Sequence, residues 1–425
     1  MNKELNLAFN ILNNVYFNGA YASIELNKNF SDSINFNLVT KIVYGVMDQD
    51  VKLEYFISQF VKKQPQKQVK LILKIGAYIK LELNSIPNFA YVFELVEIAK
   101  HSKLKPYVSF INATLKKISV SNFVYPNKFD KFKYYSVTYS KPIWFVKLLF
   151  ENFDESFVEN YLSYNLSTKT HVRINTQKTT ISNFLSTLQT LKIDFTPSVF
   201  TDAVWVDYSK LVREKSLNGC YTPQGIPSMI VSKNCGGKNI LDSCSAPGGK
   251  AVYVATLNPK SSVIACDVYA HRVKLIEEYA SNMGVKNIKT MEHDATLFNP
   301  EFENKFDCVI LDVPCSGLGV INKKPDILIN NELKFDSLPT LQLQILNNNA
   351  KYVKKGGFII YSTCTILPQE NEDVVNKFLK LNKNFKIEPV NTFNVNALDD
   401  FGLKTFYPHI SQTEGFFIGK LVRYE

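Results

Sequence analysis

The sequence predicts a multidomain chain. An all-helical bundle comes first, a small α+β region follows, and an α/β domain with a mostly parallel sheet closes it. Three observations predict this. At 425 residues the chain is too long for one core of usual size. Apolar residues recur at helical spacing up to about residue 130, and from about 236 strand-like and helix-like runs alternate. Net charge is also uneven: +6 for residues 1–130, +5 for 131–240 and −1 for 241–425, giving the overall +10.

In the first region, "VKLILKIGAYIKLEL" sets Ile72, Ile75 and Ile79 at helical spacing, with Lys70, Lys74 and Lys80 between them. "FAYVFELVEIAKHS" and "YVSFINATLKKIS" repeat the pattern, and Pro87, Pro106 and Pro126 punctuate it. Stripes of this kind make a packed bundle and carry no chemistry. In residues 131–235, "THVRINT" and "DAVWVDY" alternate apolar and polar residues as strands do, and "TTISNFLSTLQTL" between them reads as one helix. From 236 onward the strands are "KNILDSC", "SSVIACDV", "IKTMEHDA", "FDCVILDV", "GGFIIYSTC", "FKIEPV" and "GFFIGKLV". In such sheets ligands bind beyond the carboxyl ends of the strands.

Composition narrows the class. With 45% hydrophobic residues but no apolar run near ~18 residues, no membrane span is expected. The opening "MNKELNLAFNILNN" has no signal-peptide pattern. Seven cysteines without a CxxC pair, and five histidines without ligand spacing, point to a reducing cytoplasm and to no metal. The positive excess lies outside the α/β region, which suits a polyanion-binding part joined to a near-neutral one; a Lys-rich solvated surface gives the same count.

The cofactor crevice is read from strand ends. "LDSCSAPGGKAVYVA" is strand, glycine turn and helix, yet it is neither GxGxxG nor a P-loop. Asp267 ends the second strand, where a ribose diol would be held. Asp294 follows the third, where an adenine amino group would be met, and Asp312 ends the fourth. Four strand ends with an Asp nearby, and no cation cluster for a pyrophosphate, describe a nucleoside cofactor without phosphates. S-adenosylmethionine fits.

Two strands run into cysteine, at Cys315 and Cys364. Cytosine C5 is a poor nucleophile until a thiolate adds to C6. The C5 proton must then leave and the thiolate be eliminated. Two cysteines and an Asp beside a methyl donor meet that list. Small buried thiols are the other reading, and the one given to Cys244, Cys266 and Cys308.

The runs "DSCSAPGGK", "FDCVILDVPCSGLGVINKKPDI", "GGFIIYSTCTILPQENEDVV" and "EGFFIGKL" resemble the bacterial 16S rRNA cytosine-C5 methyltransferases of the RsmB (Sun, Fmu) family, within the Nop2/Sun superfamily. "LELNSIPNFAYVFELVEIAKH" and "YVSFINATLKK" resemble that family's NusB-like helical domain. "YSKPIWFVKLLFENF" and "VRINTQKTT" resemble its linker and RRM-like region. The resemblance implies a NusB-like RNA-binding domain over 1–130, a linker helix and RRM-like region over 131–235, and a Rossmann-like S-adenosylmethionine-dependent domain over 236–425. It implies Cys364 as nucleophile, Cys315 as the aid to product release, and Asp312 contacting both methyl donor and cytosine. The implied cofactor set is Cys244, Ser245, Ala246, Pro247, Gly248, Gly249, Lys250, Asp267, Arg272, Asp294 and Asp312. The implied product is 5-methylcytosine at the cytosine-967-type site of 16S rRNA, made by a cytoplasmic monomer without a stable protein partner. Two departures stand out: Gly225 in "PQGIPSM" replaces the family's usual Asp, and Lys324 precedes Pro325 and Asp326 where His is usual. The alternatives are the same chemistry on transfer RNA or large-subunit RNA, and a non-catalytic RNA-binding or assembly factor.

Overall fold

The computed structural model describes residues 2–31, 33–83, 85–165, 169–330 and 335–425. Two compact units divide the chain: Met1–Ser163 with Ile321–Leu333, and Tyr164–Val320 with Lys334–Glu425.

The first unit is helical. The helix Lys67–Glu82 runs through its middle, with every residue from Leu71 to Ile79 buried. Around it pack Asn2–Asn18, Phe36–Asp48, Asp50–Ser58, Asn88–Lys100 and Val108–Val120. Lys74 lies inside and is only 5% exposed. Its ammonium meets Asp50 at 2.5 Å and Glu54 at 3.1 Å, the pairing a buried cation requires. The unit continues past residue 130, where the sequence reading placed a linker. The helix Lys131–Thr138 packs on Asp50–Ser58, and Lys141 bridges to Asp48 at 3.0 Å. The segment 321–330 also belongs here: Ile329 packs on the helical core, and buried Asp326 raises the pKa of Tyr44, whose own burial is the larger cause. The departure at Lys324 therefore sits in a segment held by the helical unit. Among the described residues, no helix is long and apolar enough to cross a membrane.

The second unit holds two sheets. The smaller has β1 (Thr170–Ile174), β2 (Phe195–Pro197), β3 (Ala203–Val206) and β4 (Tyr221–Pro223) in the antiparallel order β2-β3-β1-β4. The helix Ile181–Thr190 packs on it, with Thr180 accepting a capping bond from Asn183 N–H.

The larger sheet contains β5 (Asn239–Asp242), β6 (Ser262–Asp267), β7 (Ile288–Glu292), β8 (Phe306–Asp312), β9 (Val353–Thr363), β10 (Phe385–Glu388), β11 (Leu398–Asp400), β12 (Leu403–Phe406) and β13 (Phe416–Arg423). The order is β11-β12-β13-β9-β8-β5-β6-β7, with β10 beside β13. Pairings from β7 across to β9 are all parallel, and those made by β13, β12, β11 and β10 are antiparallel. The sheet is thus mixed: a parallel half and an antiparallel wing that includes two strands, β11 and β12, outside the predicted set. The inner parallel strands β5, β6 and β8 are mostly apolar because both faces are covered, whereas the edge strand β7 is polar and half-exposed. Chain order reverses between β5 and β8, so a crevice opens beyond their carboxyl ends.

Candidate active site

Strand register brings the two thiols together. Asp312 on β8 lies opposite Ser362 on β9, and both strands run the same way. The chains leave the sheet side by side, Cys364 directly after β9 and Cys315 three residues beyond β8. The two sulfurs stand 3.1 Å apart, and Cys364 N–H donates to Cys315 Sγ at 3.3 Å. The hydrogen bond to Cys364 raises the Cys315 pKa well above that of a free thiol, with burial and the charges of Cys364 and Glu370 adding to it. Either sulfur can donate in that contact, and the raised pKa makes the Cys315 proton hard to remove. The backbone fit beyond the thiols is close: Gly319 N–H donates to Cys364 C=O at 2.9 Å, and a Cβ on Gly319 would fall 2.1 Å from Gly415 O.

The loop after β5 forms the crevice floor. Ser245 N–H donates to Cys266 C=O at 2.8 Å, and Gly248 N–H to Ser245 C=O at 2.7 Å. Gly248 takes φ +104°, a value that favours glycine, and opens the helix Gly249–Leu257. A Cβ on Gly249 would meet nothing within 4 Å, so the loop borders open space there. Ala246 N–H reaches Asp267 Oδ2 at 3.3 Å, and Asp267 is 5% exposed. Arg272 lies 3.8 Å from Asp267 and is half-exposed, placing it at the rim. Asp294 is turned onto its own loop, where Oδ1 accepts from Thr296 N–H and O–H at 2.9 and 2.7 Å. Cys244 and Cys266 have pKa values pushed up by burial, Cys266 to about 12, which marks inert packed thiols.

Lys250 joins the cofactor loop to the thiols. Its Nζ lies 2.6 Å from Asp312 Oδ2, while Asp312 Oδ1 accepts from Ser362 Oγ at 2.8 Å. Burial pulls the Lys250 pKa down, but the charges of Asp312, Asp242 and Cys364 outweigh it and hold it above the usual lysine value. The Lys250 cation, fixed on Asp312, thus also interacts through its charge with Cys364.

Asp242, absent from the predicted site set, ends β5 with 1% exposure; its polar neighbours are the Ser245 hydroxyl and the Cys244 N–H, neither in full hydrogen-bond geometry. Burial and the nearby Asp312 charge raise its pKa to about 7, with Lys250 offsetting part. Ser245 Oγ is buried beside that carboxylate and makes no well-formed hydrogen bond among the described residues. A buried, only weakly satisfied carboxylate beside a glycine-walled opening fits a ligand that brings donors and positive charge, as the ammonium and sulfonium of S-adenosylmethionine do. The "LDSC" run was the available signal, but its Asp has no visible burial in sequence.

The smaller sheet braces this loop. Buried Arg173 on β1 donates to Gln224 Oε1 at 2.6 Å, and Gln224 Nε2 donates to Ser228 Oγ at 3.1 Å and Gly249 C=O at 3.4 Å. Gly225 leaves room for a longer acid from elsewhere: a Cβ there would lie 2.7 Å from Glu414 Oε1. The carboxylate that Gly225 lacks is thus matched by one arriving from the turn before β13.

A family model described as 16S rRNA methyltransferase RsmB/F matches residues 229–422, and one for the NusB family matches residues 2–120. The chain is 32% identical over 425 residues to the probable ribosomal RNA small subunit methyltransferase B of Bacillus subtilis (strain 168), covering 96% of this chain and 94% of that relative. It is 26% identical over 409 residues to ribosomal RNA small subunit methyltransferase B of Shewanella oneidensis, covering 94% and 93%. Among solved structures, PH0851 aligns with TM-score 0.82 at 22% identity, covering 98% of both chains. NSun6 from Pyrococcus horikoshii with SFG aligns with TM-score 0.58 at 21% identity, over 66% of this chain and 97% of that one. At these identities the structural matches show a shared fold.

Proposed function

Because the chain belongs to the ribosomal RNA small subunit methyltransferase B family, whose members use S-adenosylmethionine to methylate 16S rRNA, we propose that it methylates C5 of a cytosine there, with Cys364 adding to C6. The observation that carries this reading is the 3.1 Å thiol pair at the mouth of the β5–β8 crevice. Within it the Cys315 thiol is held well above the ordinary thiol pKa, and the Lys250 and Cys364 charges act on each other.

S-adenosylmethionine supplies the electrophilic methyl group. Asp267 and the 244–250 loop would hold its ribose and methionine ends, and Asp242 and Asp312 would face its positive charge. Cys364 attacks cytosine C6 as the thiolate, and the electron pair moves into the ring toward N3, where the Lys250–Asp312 pair offers a proton. C5 is thereby made nucleophilic and takes the methyl group as the donor's sulfur–methyl bond breaks, the sulfonium keeping that electron pair and leaving as a neutral thioether. Once the Cys364 sulfur is bonded to carbon, the hydrogen bond that most raised the Cys315 pKa is gone. Cys315 then gives its own proton to water and, as the thiolate, takes the C5 proton; the bond from Cys364 to C6 breaks to restore the Cys364 thiolate, and the N3 proton returns to the Lys250–Asp312 pair. The target base leaves its stack to reach the crevice. The basic first 240 residues hold RNA mainly through phosphates, and the enzyme works as a cytoplasmic monomer.

Bisulfite sequencing of ribosomal RNA tests this. One protected cytosine in 16S rRNA should vanish when the gene is removed and return with the wild-type gene but not with Cys364→Ala. Protection only in transfer RNA or large-subunit RNA would refute the substrate. Protection restored by Cys364→Ala would refute the nucleophile.

A further inference from the structure

Glu370 is 1% exposed, and its carboxylate takes three donors. Oε2 accepts from Ser316 N–H and from Gln342 Nε2, both at 2.9 Å, and Oε1 accepts from the Ser316 hydroxyl at 2.5 Å. The same Gln342 nitrogen donates to Pro314 C=O at 2.9 Å. Pro314 and Ser316 flank Cys315, so the backbone on both sides of that thiol is tied to one buried carboxylate and its amide partner. The other end is anchored to the strand that delivers Cys364: the Tyr361 hydroxyl on β9 donates to Glu370 C=O at 2.7 Å. Burying a carboxylate is costly, and the donors it meets here are all uncharged. A cradle shaped around one turn, at that cost, calls for a role that packing alone does not explain.

We propose that Glu370, braced by Gln342, is a positioning residue that holds the Cys315 turn against Cys364 for the release step. This rests on the two-cysteine reading above. The carboxylate also has an electrostatic effect. The groups facing Cys315 are Tyr361 from β9, Cys364 directly after it and Glu370 from the turn beyond, with Lys250 acting on Cys364. Of these, the Glu370 charge opposes ionisation of Cys315 while leaving its position fixed.

Full-length wild type, Glu370→Ala, Glu370→Gln, Gln342→Leu and Cys315→Ala are compared with S-adenosylmethionine and 16S rRNA, following methyl transfer and the RNA–protein adduct on denaturing gels. Glu370→Ala should keep first-turnover methyl transfer but slow release ~10-fold or more, because the Cys315 sulfur is no longer placed. Methylated RNA should then accumulate on the enzyme as it does with Cys315→Ala. Glutamine keeps the shape: its oxygen accepts from Ser316 N–H and Gln342, and its amide faces the Ser316 hydroxyl. Glu370→Gln should therefore release at close to the wild-type rate, while peptide-resolved iodoacetamide labelling of Cys315 moves to lower pH. Gln342→Leu removes one strut and should accumulate adduct to a smaller extent, which keeps the test open if Glu370→Ala does not fold. Free turnover by Glu370→Ala or Gln342→Leu without adduct, when Cys315→Ala traps RNA, would overturn the proposal and leave the two-cysteine reading standing. Glu370→Gln as slow as Glu370→Ala, with Cys315 labelling unmoved, would also overturn it. Absence of adduct in Cys315→Ala itself would overturn the underlying reading.

Discussion

Asp242 should make the free enzyme lose stability as pH rises, and Asp242→Asn should remove that loss. The carboxyl is fully buried, and its pKa is raised from the ordinary 3.8 to about 7. Below pH ~4 both folded and unfolded chains hold the proton, and the two proteins differ by a constant. Between pH ~4 and ~7 the unfolded chain releases it first, so folding loses free energy at about 1.4 kcal/mol per pH unit. Across a window of roughly three pH units the loss reaches a ceiling on the order of 4 kcal/mol. Asparagine has nearly the same shape and no titration. Lys250 loses one anionic neighbour in the variant but keeps Asp312 at 2.6 Å, so a net relative gain of about 2–4 kcal/mol at pH 8 is expected. Thermal unfolding of both proteins without cofactor from pH 4 to pH 8 is the assay. The gap should widen in favour of the variant through that window, while S-adenosylmethionine binding weakens by roughly 1–3 kcal/mol for loss of a charged acceptor. Unfolding curves that move in parallel across the range would refute the argument from burial.

Three further outcomes follow from the same geometry. Asp267→Ala should weaken S-adenosylmethionine binding by roughly 1–3 kcal/mol in calorimetry and leave RNA affinity nearly unchanged; an unaltered Kd would put the ribose elsewhere. Replacing exposed Lys103, Lys105, Lys116 and Lys117 of the helical unit with Gln should flatten the salt dependence of RNA binding, by ~0.9 in slope for each phosphate no longer neutralised on duplex or ~0.7 on single strands. These substitutions are cleaner than deleting residues 1–130, which would strip the neighbours of Ile329. Gly225→Asp should set a second carboxylate against Glu414 and lower stability by about 1–3 kcal/mol, with Glu414→Gln restoring part of it; a neutral result would show that the two positions do not share that space.

Much of the framework is legible in sequence because it follows from periodicity. Ile72, Ile75 and Ile79 face one core, and the apolar runs into Asp267, Asp312 and Thr363 become parallel strands. Cys315 and Cys364 are 49 positions apart, yet strand-end logic alone puts them in one crevice, since parallel neighbours end on the same side. What sequence hid was long-range burial. Lys74 sits among apolar residues in one helix, and nothing local reveals that Asp50 and Glu54 neutralise it. Asp242 and Glu370 look like ordinary acidic residues until both are seen to be 1% exposed. Strands β11 and β12 are short, only Phe401 and Gly402 lie between them, and it is pairing with each other and of β12 with β13 that makes them strands. Asp294 had the right position after β7, but its bonds to Thr296 depend on a local turn that strand-end counting ignores.

The most direct test of the mechanism is the covalent bond it requires. Cys315→Ala, given S-adenosylmethionine and ribosomal RNA, should stop after methyl transfer with the RNA still joined to the protein. The complex should survive denaturing electrophoresis and should be absent from Cys315→Ala/Cys364→Ala. Mass spectrometry of the nuclease-trimmed adduct should place a methylated cytosine on the Cys364 peptide. Alanine replaces a small thiol at modest cost, so folding should not obscure the result. Normal turnover with no adduct would contradict the two-cysteine mechanism and leave Cys315 as packing.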